Sequence, residues 1–183
     1  MSKILITSFE PFGLIGSWVR NNNASKQVMD IVQNSDNADF IYKTLPTSDQ
    51  AIPQFLDILD KEQPTGILSM GEHLLLPPHN IKLEPFANDT NVSSLPLAHL
   101  FSETVTSDFV ANQDDNQNSS SIGSYFCNQI YLQGINWAKE NGNIPVAFIH
   151  VPVFGDHEKH AQQIKNILQD MQSSMQNTLS LDT

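Results

Sequence analysis

The chain has 183 residues, 20 of them acidic and 9 basic, for a formal net charge of −11. No basic stripe is available to neutralise phosphates or anionic headgroups, which argues against nucleic acid and membrane surfaces as partners. Hydrophobic residues make up 39% of the chain in runs separated by turn signals, as expected of one globular domain spanning 1–183.

The opening "MSKILITSFEPFG" has one lysine and a short apolar run before Glu10 and Pro11, which predicts a first β-strand rather than a leader or a membrane span. A single cysteine, Cys127, forms no internal disulfide and suits a reducing compartment, so a cytoplasmic location is expected. "ASKQVMDIVQ" (24–33) places Val28, Met29, Ile31 and Val32 at helical spacing. "DFIYKTLP" (39–46) predicts a second strand. A helix follows, capped by Ser48 or Asp49 and running through Ile52, Phe55, Leu56 and Leu59. "TGILSMG" (65–71) predicts a third strand, and "HNIKLEPFA" (79–87) alternates apolar and polar residues as a half-exposed strand does.

Residues 88–122 carry little periodic signal, and "ANQDDNQNSSS" (111–121) predicts a mobile loop. A helix over 125–140, a buried strand "VAFIHVPVF" (146–154) and an amphipathic helix over 156–175 complete the pattern. Strands alternating with helices predict an α/β class: a three-layer α/β/α sandwich around a mainly parallel mixed sheet.

Three residues carry candidate chemistry. Cys127 falls in the first turn of a predicted helix, where unpaired N–H groups and the positive end of the macrodipole favour a thiolate and offer an oxyanion site. Free cysteine is also among the most buried residue types, so core packing is the competing explanation. His150 ends "VAFIH" at the carboxyl end of a strand, where open α/β sheets place their clefts. Glu84 lies opposite Leu83 in the alternating segment, and Pro85 favours an extended backbone there. A histidine at a strand end is commonly structural and a glutamate commonly solvated. Together, though, a thiol, an imidazole and a carboxylate are the parts of a nucleophilic triad.

The segments "ILITSFEPFG" (4–13), "IKLEPFAND" (81–89), "GSYFCN" (123–128) and "AFIHVP" (147–152) occur in an order that resembles the pyroglutamyl peptidase I, or pyrrolidone-carboxylate peptidase, family of cysteine peptidases. The resemblance implies an α/β/α sandwich that removes N-terminal pyroglutamate from peptides without metal or cofactor. It implies Glu84, Cys127 and His150 as catalytic residues, Phe9, Phe12 and Thr47 near the lactam, and assembly as a homo-oligomer. A flat, uncharged lactam suits apolar faces and backbone hydrogen bonds, which Phe9 and Phe12 would supply unless they are core.

The chain departs from that pattern in several places. Its only arginine is Arg20. The family's arginine after the glutamate is therefore replaced by Pro85, and the one in the preceding loop is missing from "GEHLLLPPHN". Asp89 stands where asparagine is usual, "NAS" (23–25) replaces Asn-Pro-Ser/Thr, and the stretch from Glu84 to Cys127 is shorter by about a helix. These departures leave room for weak turnover, or for a homologue that binds a pyroglutamyl-like or other small amide, or acts as an interaction protein. His157 and His160, at i and i+3, lack a third ligand for a metal and predict a solvated helix start. Gly66 and Gly71 form no phosphate-binding loop.

Overall fold

The computed structural model describes residues 3–11, 14–15, 18–19, 21–35, 40–84, 87 and 126–181. The strands are β1 (Ile4–Phe9), β2 (Leu14–Ile15), β3 (Trp18–Val19), β4 (Ile41–Leu45), β5 (Gly66–His73), β6 (Lys82–Leu83) and β7 (Val146–Pro152). The helices are α1 (Ala24–Ser35), α2 (Ala51–Glu62), α3 (Phe126–Glu140) and α4 (His157–Leu181). A five-stranded sheet has the order β4-β1-β5-β7-β6, and β2 and β3 form a separate antiparallel pair. The β4-β1, β1-β5 and β5-β7 pairs are parallel; β6 runs antiparallel to β7.

Alternation along the central strands sorts side chains between two cores, because successive residues of a strand face opposite sides. Ile4, Ile6, Leu68, Met70, Ala147 and Ile149 pack with α1 residues Val28 and Val32 and α4 residues Ile164 and Leu168. Leu5, Ile67, Val146 and Phe148 pack on the other face with Phe55 of α2 and Ile130 and Ile135 of α3. The result is helices on both faces of a mixed, mainly parallel sheet, as the alternation of elements predicts.

Boundaries shift where local chemistry and tertiary pairing compete. The cap of α2 is Gln50, which makes no side-chain capping bond, rather than Ser48 or Asp49. Ser48 instead closes a turn, its carbonyl accepting the Ala51 N–H at 2.9 Å. Of the segment expected as a strand over 79–87, Lys82 and Leu83 form the strand among the described residues, and its polar side is solvated at Asn80 but not at Glu84, which is fully buried. β5 runs two residues past its predicted end, to His73, because Glu72 and His73 pair with Val151 and Pro152 of β7. His160 is buried rather than solvated and bonds the Pro78 carbonyl through Nε2 at 3.1 Å. The loop expected over 111–121 lies outside the described residues.

Candidate active site

Parallel strands deliver their carboxyl ends to one edge of the sheet. α3 leads into the start of β7, so it runs against the strands and brings its own N-terminus back to that edge. Cys127, the second residue of α3, therefore arrives beside the last residues of β5 and β7. No disulfide is formed, and Cys127 is partly buried.

His150 faces the α3 side of the sheet, in register with Gly71 of β5. The absence of a side chain at Gly71 creates the space between the two groups. A Cβ placed there would lie 2.8 Å from Cys127 Sγ and 3.2 Å from His150 Cδ2. The sulfur and the carbon bonded to Nε2 thus flank one small volume. A glycine inside a strand pattern signals this kind of close approach, and that is the cue by which Gly71 could have been recognised from sequence.

Glu84 continues the line of β6, its N–H donating to the Phe148 carbonyl at 2.9 Å. Its Oε1 lies 2.6 Å from His150 Nδ1, with both side chains buried. Burial alone would raise the carboxyl pKa, but the hydrogen bond and charge of His150 and the charge of Lys82 outweigh it and hold Glu84 below its usual 4.5. A carboxylate only accepts, so whenever the ring is neutral its proton sits on Nδ1 and the Nε2 lone pair faces away from Glu84. Lys82 Nζ pairs with Oε2 at 3.0 Å.

Further contacts hold this arrangement. The His150 ring is met edge-on by Phe148 at 5.1 Å and by His73 at 5.3 Å between centroids. His73 Nδ1 accepts the Leu75 N–H at 3.2 Å, and its pKa is lowered by burial and by the neighbouring charges of His150 and Lys82. Tyr131, one turn along α3 from Cys127, donates its hydroxyl to the Glu84 carbonyl at 3.1 Å. The helix that carries the sulfur is thereby tied to the segment that carries the carboxylate. Helical spacing marks Tyr131 only as an apolar-face residue, and nothing local marks His73, whose partner is 77 positions away in the chain.

The thiol differs from the expectation of a depressed pKa. Burial pushes Cys127 up to about 12, with the charges of Glu84 and Glu72 adding to the rise and its own backbone N–H opposing it. Desolvation outweighs the helix terminus. Phe9 is packed in the core with Leu5, Leu45 and Phe55, and its N–H donates to Ser25 Oγ at 3.3 Å. Thr47 is partly buried just past β4, at the same sheet edge. Phe12 lies outside the described residues. Among the described residues no group of three or more His, Cys, Asp or Glu is placed to hold a metal ion, and no helix is long and apolar enough to cross a membrane.

No family model matches the chain. In sequence it is similar to a pyrrolidone-carboxylate peptidase of Thermoanaerobacter sp. (strain X514), 23% identical over 176 residues and covering 82% of each chain. In structure it is similar to the pyrrolidone carboxyl peptidase of Thermococcus litoralis, with a TM-score of 0.69, 18% identity and coverage of 97% of this chain and 96% of that one. The Thermus thermophilus pyrrolidone carboxyl peptidase gives a TM-score of 0.64 at 23% identity, covering 91% of this chain and 99% of its own. Pyroglutamyl peptidase I of Bacillus amyloliquefaciens gives 0.60 at 17% identity, covering 90% and 94%.

Proposed function

We propose that this chain, a divergent member of the pyroglutamyl peptidase family, is a cysteine-type omega peptidase that removes pyroglutamate from peptide N-termini. The observation that carries the reading is the meeting of His150 and Cys127 at the gap left by Gly71, with Glu84, from a third segment, bonded to the far ring nitrogen of His150. The names of the relatives supply the substrate class.

The resting pair is a neutral thiol beside an imidazole, since burial disfavours the thiolate. His150 Nε2 takes the thiol proton as Sγ attacks the pyroglutamyl carbonyl carbon. The N–H groups of the first turn of α3 receive the charge that develops on oxygen. The proton then passes from Nε2 to the departing amine as the C–N bond breaks, leaving a thioester. Water, deprotonated by the same nitrogen, releases pyroglutamate and restores the thiol. Glu84 holds the ring tautomer throughout, and Lys82 keeps Glu84 ionised. No metal or cofactor enters this scheme. Phe12 and Thr47 are assigned to the lactam side of the site and a homo-oligomer is the proposed assembly, both from the family resemblance, whereas Phe9 is taken up by the core.

The raised thiol pKa also favours a second reading, a homologue that binds a pyroglutamyl-like amide with little turnover. Release of the fluorophore from a pyroglutamyl-arylamide separates the two. The peptidase liberates it well above a Cys127→Ser control and ignores the prolyl and glutamyl compounds, whose charges would be desolvated without partners. A rate equal to the control at high enzyme concentration supports the binder.

A further inference from the structure

Leu74, Leu75 and Phe154 are the large hydrophobic residues that stand out in solvent among the described residues, at 56%, 84% and 69% exposure. Single exposed apolar residues are ordinary, but these three are not scattered. His73 and Pro152 are partners in the β5-β7 register, so Leu74-Leu75 and Val153-Phe154 leave the same sheet edge side by side. The two loops also meet further on: a Cβ on Gly155 would collide with the Pro78 carbonyl oxygen, which itself accepts from His160 Nε2.

This apolar pair of loops is joined directly to the candidate active site. Leu75 is fixed by its N–H bond to His73 Nδ1, and the His73 ring lies against the His150 ring. In the proposed reaction the leaving amine must sit at His150 Nε2 to receive its proton. A peptide beyond that amine that leaves past the ends of β5 and β7 runs alongside these loops, and an extended chain covers about 3.4 Å per residue. On that course its first two residues would pass the His73 ring, whose neighbours along the two strands lead to Leu75 and Phe154.

Resting on the peptidase reading above, we infer that Leu74, Leu75 and Phe154 form a subsite for the residues that follow pyroglutamate, and that it selects peptides with a large apolar side chain there. Burying such a side chain against exposed leucine and phenylalanine removes apolar area from water on both partners, whereas glycine or aspartate at that place gains nothing.

The test compares pyroglutamyl-phenylalanine amide with pyroglutamyl-glycine amide in the intact protein and in Leu75→Ser and Phe154→Ser, two surface variants whose folding is checked by thermal melts. We expect kcat/KM to favour the phenylalanyl compound by about tenfold in the unaltered protein, with the ratio falling toward one in each variant. Equal kcat/KM for the two compounds, or a ratio kept in both variants, overturns the subsite. So does a variant that changes only the sedimentation of the protein, which would assign the patch to contact with a second copy of this chain. If neither compound is turned over, calorimetry on Cys127→Ala decides. Tighter binding of the phenylalanyl compound keeps the subsite while the peptidase reading fails, and absence of any preference overturns the subsite as well.

Discussion

Glu84 Oε1 and His150 Nδ1 meet at 2.6 Å across 66 positions of sequence. The contact exists because β6 pairs antiparallel with β7, setting Lys82 opposite His150 and carrying Glu84 onto the same buried side of the sheet edge. Its predicted consequence is a fixed ring tautomer. Glu84→Gln can still bond the ring, but its amide N–H competes to present a donor to Nδ1, which moves the ring proton to Nε2. We expect kcat on a pyroglutamyl-arylamide to drop by roughly 10²- to 10⁴-fold with KM little changed. A loss under tenfold would detach Glu84 from the chemistry.

The same carboxyl should mark the acid stability of the fold. Its pKa is held below 4.5, so its contribution is present in full above that value and is lost as pH falls through the lower folded value. Lys82→Met removes one of the charges holding it down. Above pH 4.5 this variant is expected to lose about 1–3 kcal/mol, and the gap to the unaltered protein should shrink as pH drops further. Thermal melts over pH 3 to 7 measure it. A constant gap across that range would mean that Lys82 acts by packing rather than through Glu84.

Cys127 gives an unambiguous alkylation signal, being the chain's single cysteine. With the thiol pushed up to about 12, iodoacetamide should react slowly at neutral pH, with a rate that climbs above the free-thiol value of about 8.5. His150→Ala should slow the neutral-pH reaction further, because the base that accepts the proton is gone. A midpoint below 8.5 in the folded protein would establish a preformed thiolate and imidazolium in its place.

Gly71 should tolerate no side chain. Gly71→Ala puts a methyl group 2.8 Å from Cys127 Sγ and 3.1 Å from the Phe148 ring, contacts that force one of them to move. Overpacking of this kind costs about 1–3 kcal/mol. Displacing the sulfur relative to His150 by even 1 Å is expected to lower kcat by about 10². Melts and kcat together check this, and an alanine variant with full activity would show that the gap is not part of the site.

Much of this protein is encoded locally. The alternation of "ILITSF" and "VAFIHVP", the helical spacing around Val28 and Ile135, and the polar-to-apolar switch ahead of Cys127 each depend on neighbours a few residues away. Strand, helix and helix terminus are properties of such short windows. For that reason the elements, the α/β class and the positions of Cys127 and His150 at element ends were legible. Residue chemistry offered Glu84 as a possible carboxylate and the family resemblance singled it out, although the strand before it proved only two residues long.

Tertiary structure decided what depends on residues far apart. The β4-β1-β5-β7-β6 order and the reversed direction of β6 place Glu84 on His150, and no window of sequence contains both. The Cys127 pKa is a balance between a local helix terminus, visible in sequence, and desolvation by groups assembled from β5, β7 and α3. The second term exists only in the folded chain, and it prevails. His73 and Tyr131 acquire roles in the same way, through a ring and a carbonyl that packing brings to them. Sequence by itself determined which chemical groups the chain possesses and the backbone each sits on; packing decided which of them touch and how much water remains around them, because distance and dielectric are set by the whole fold.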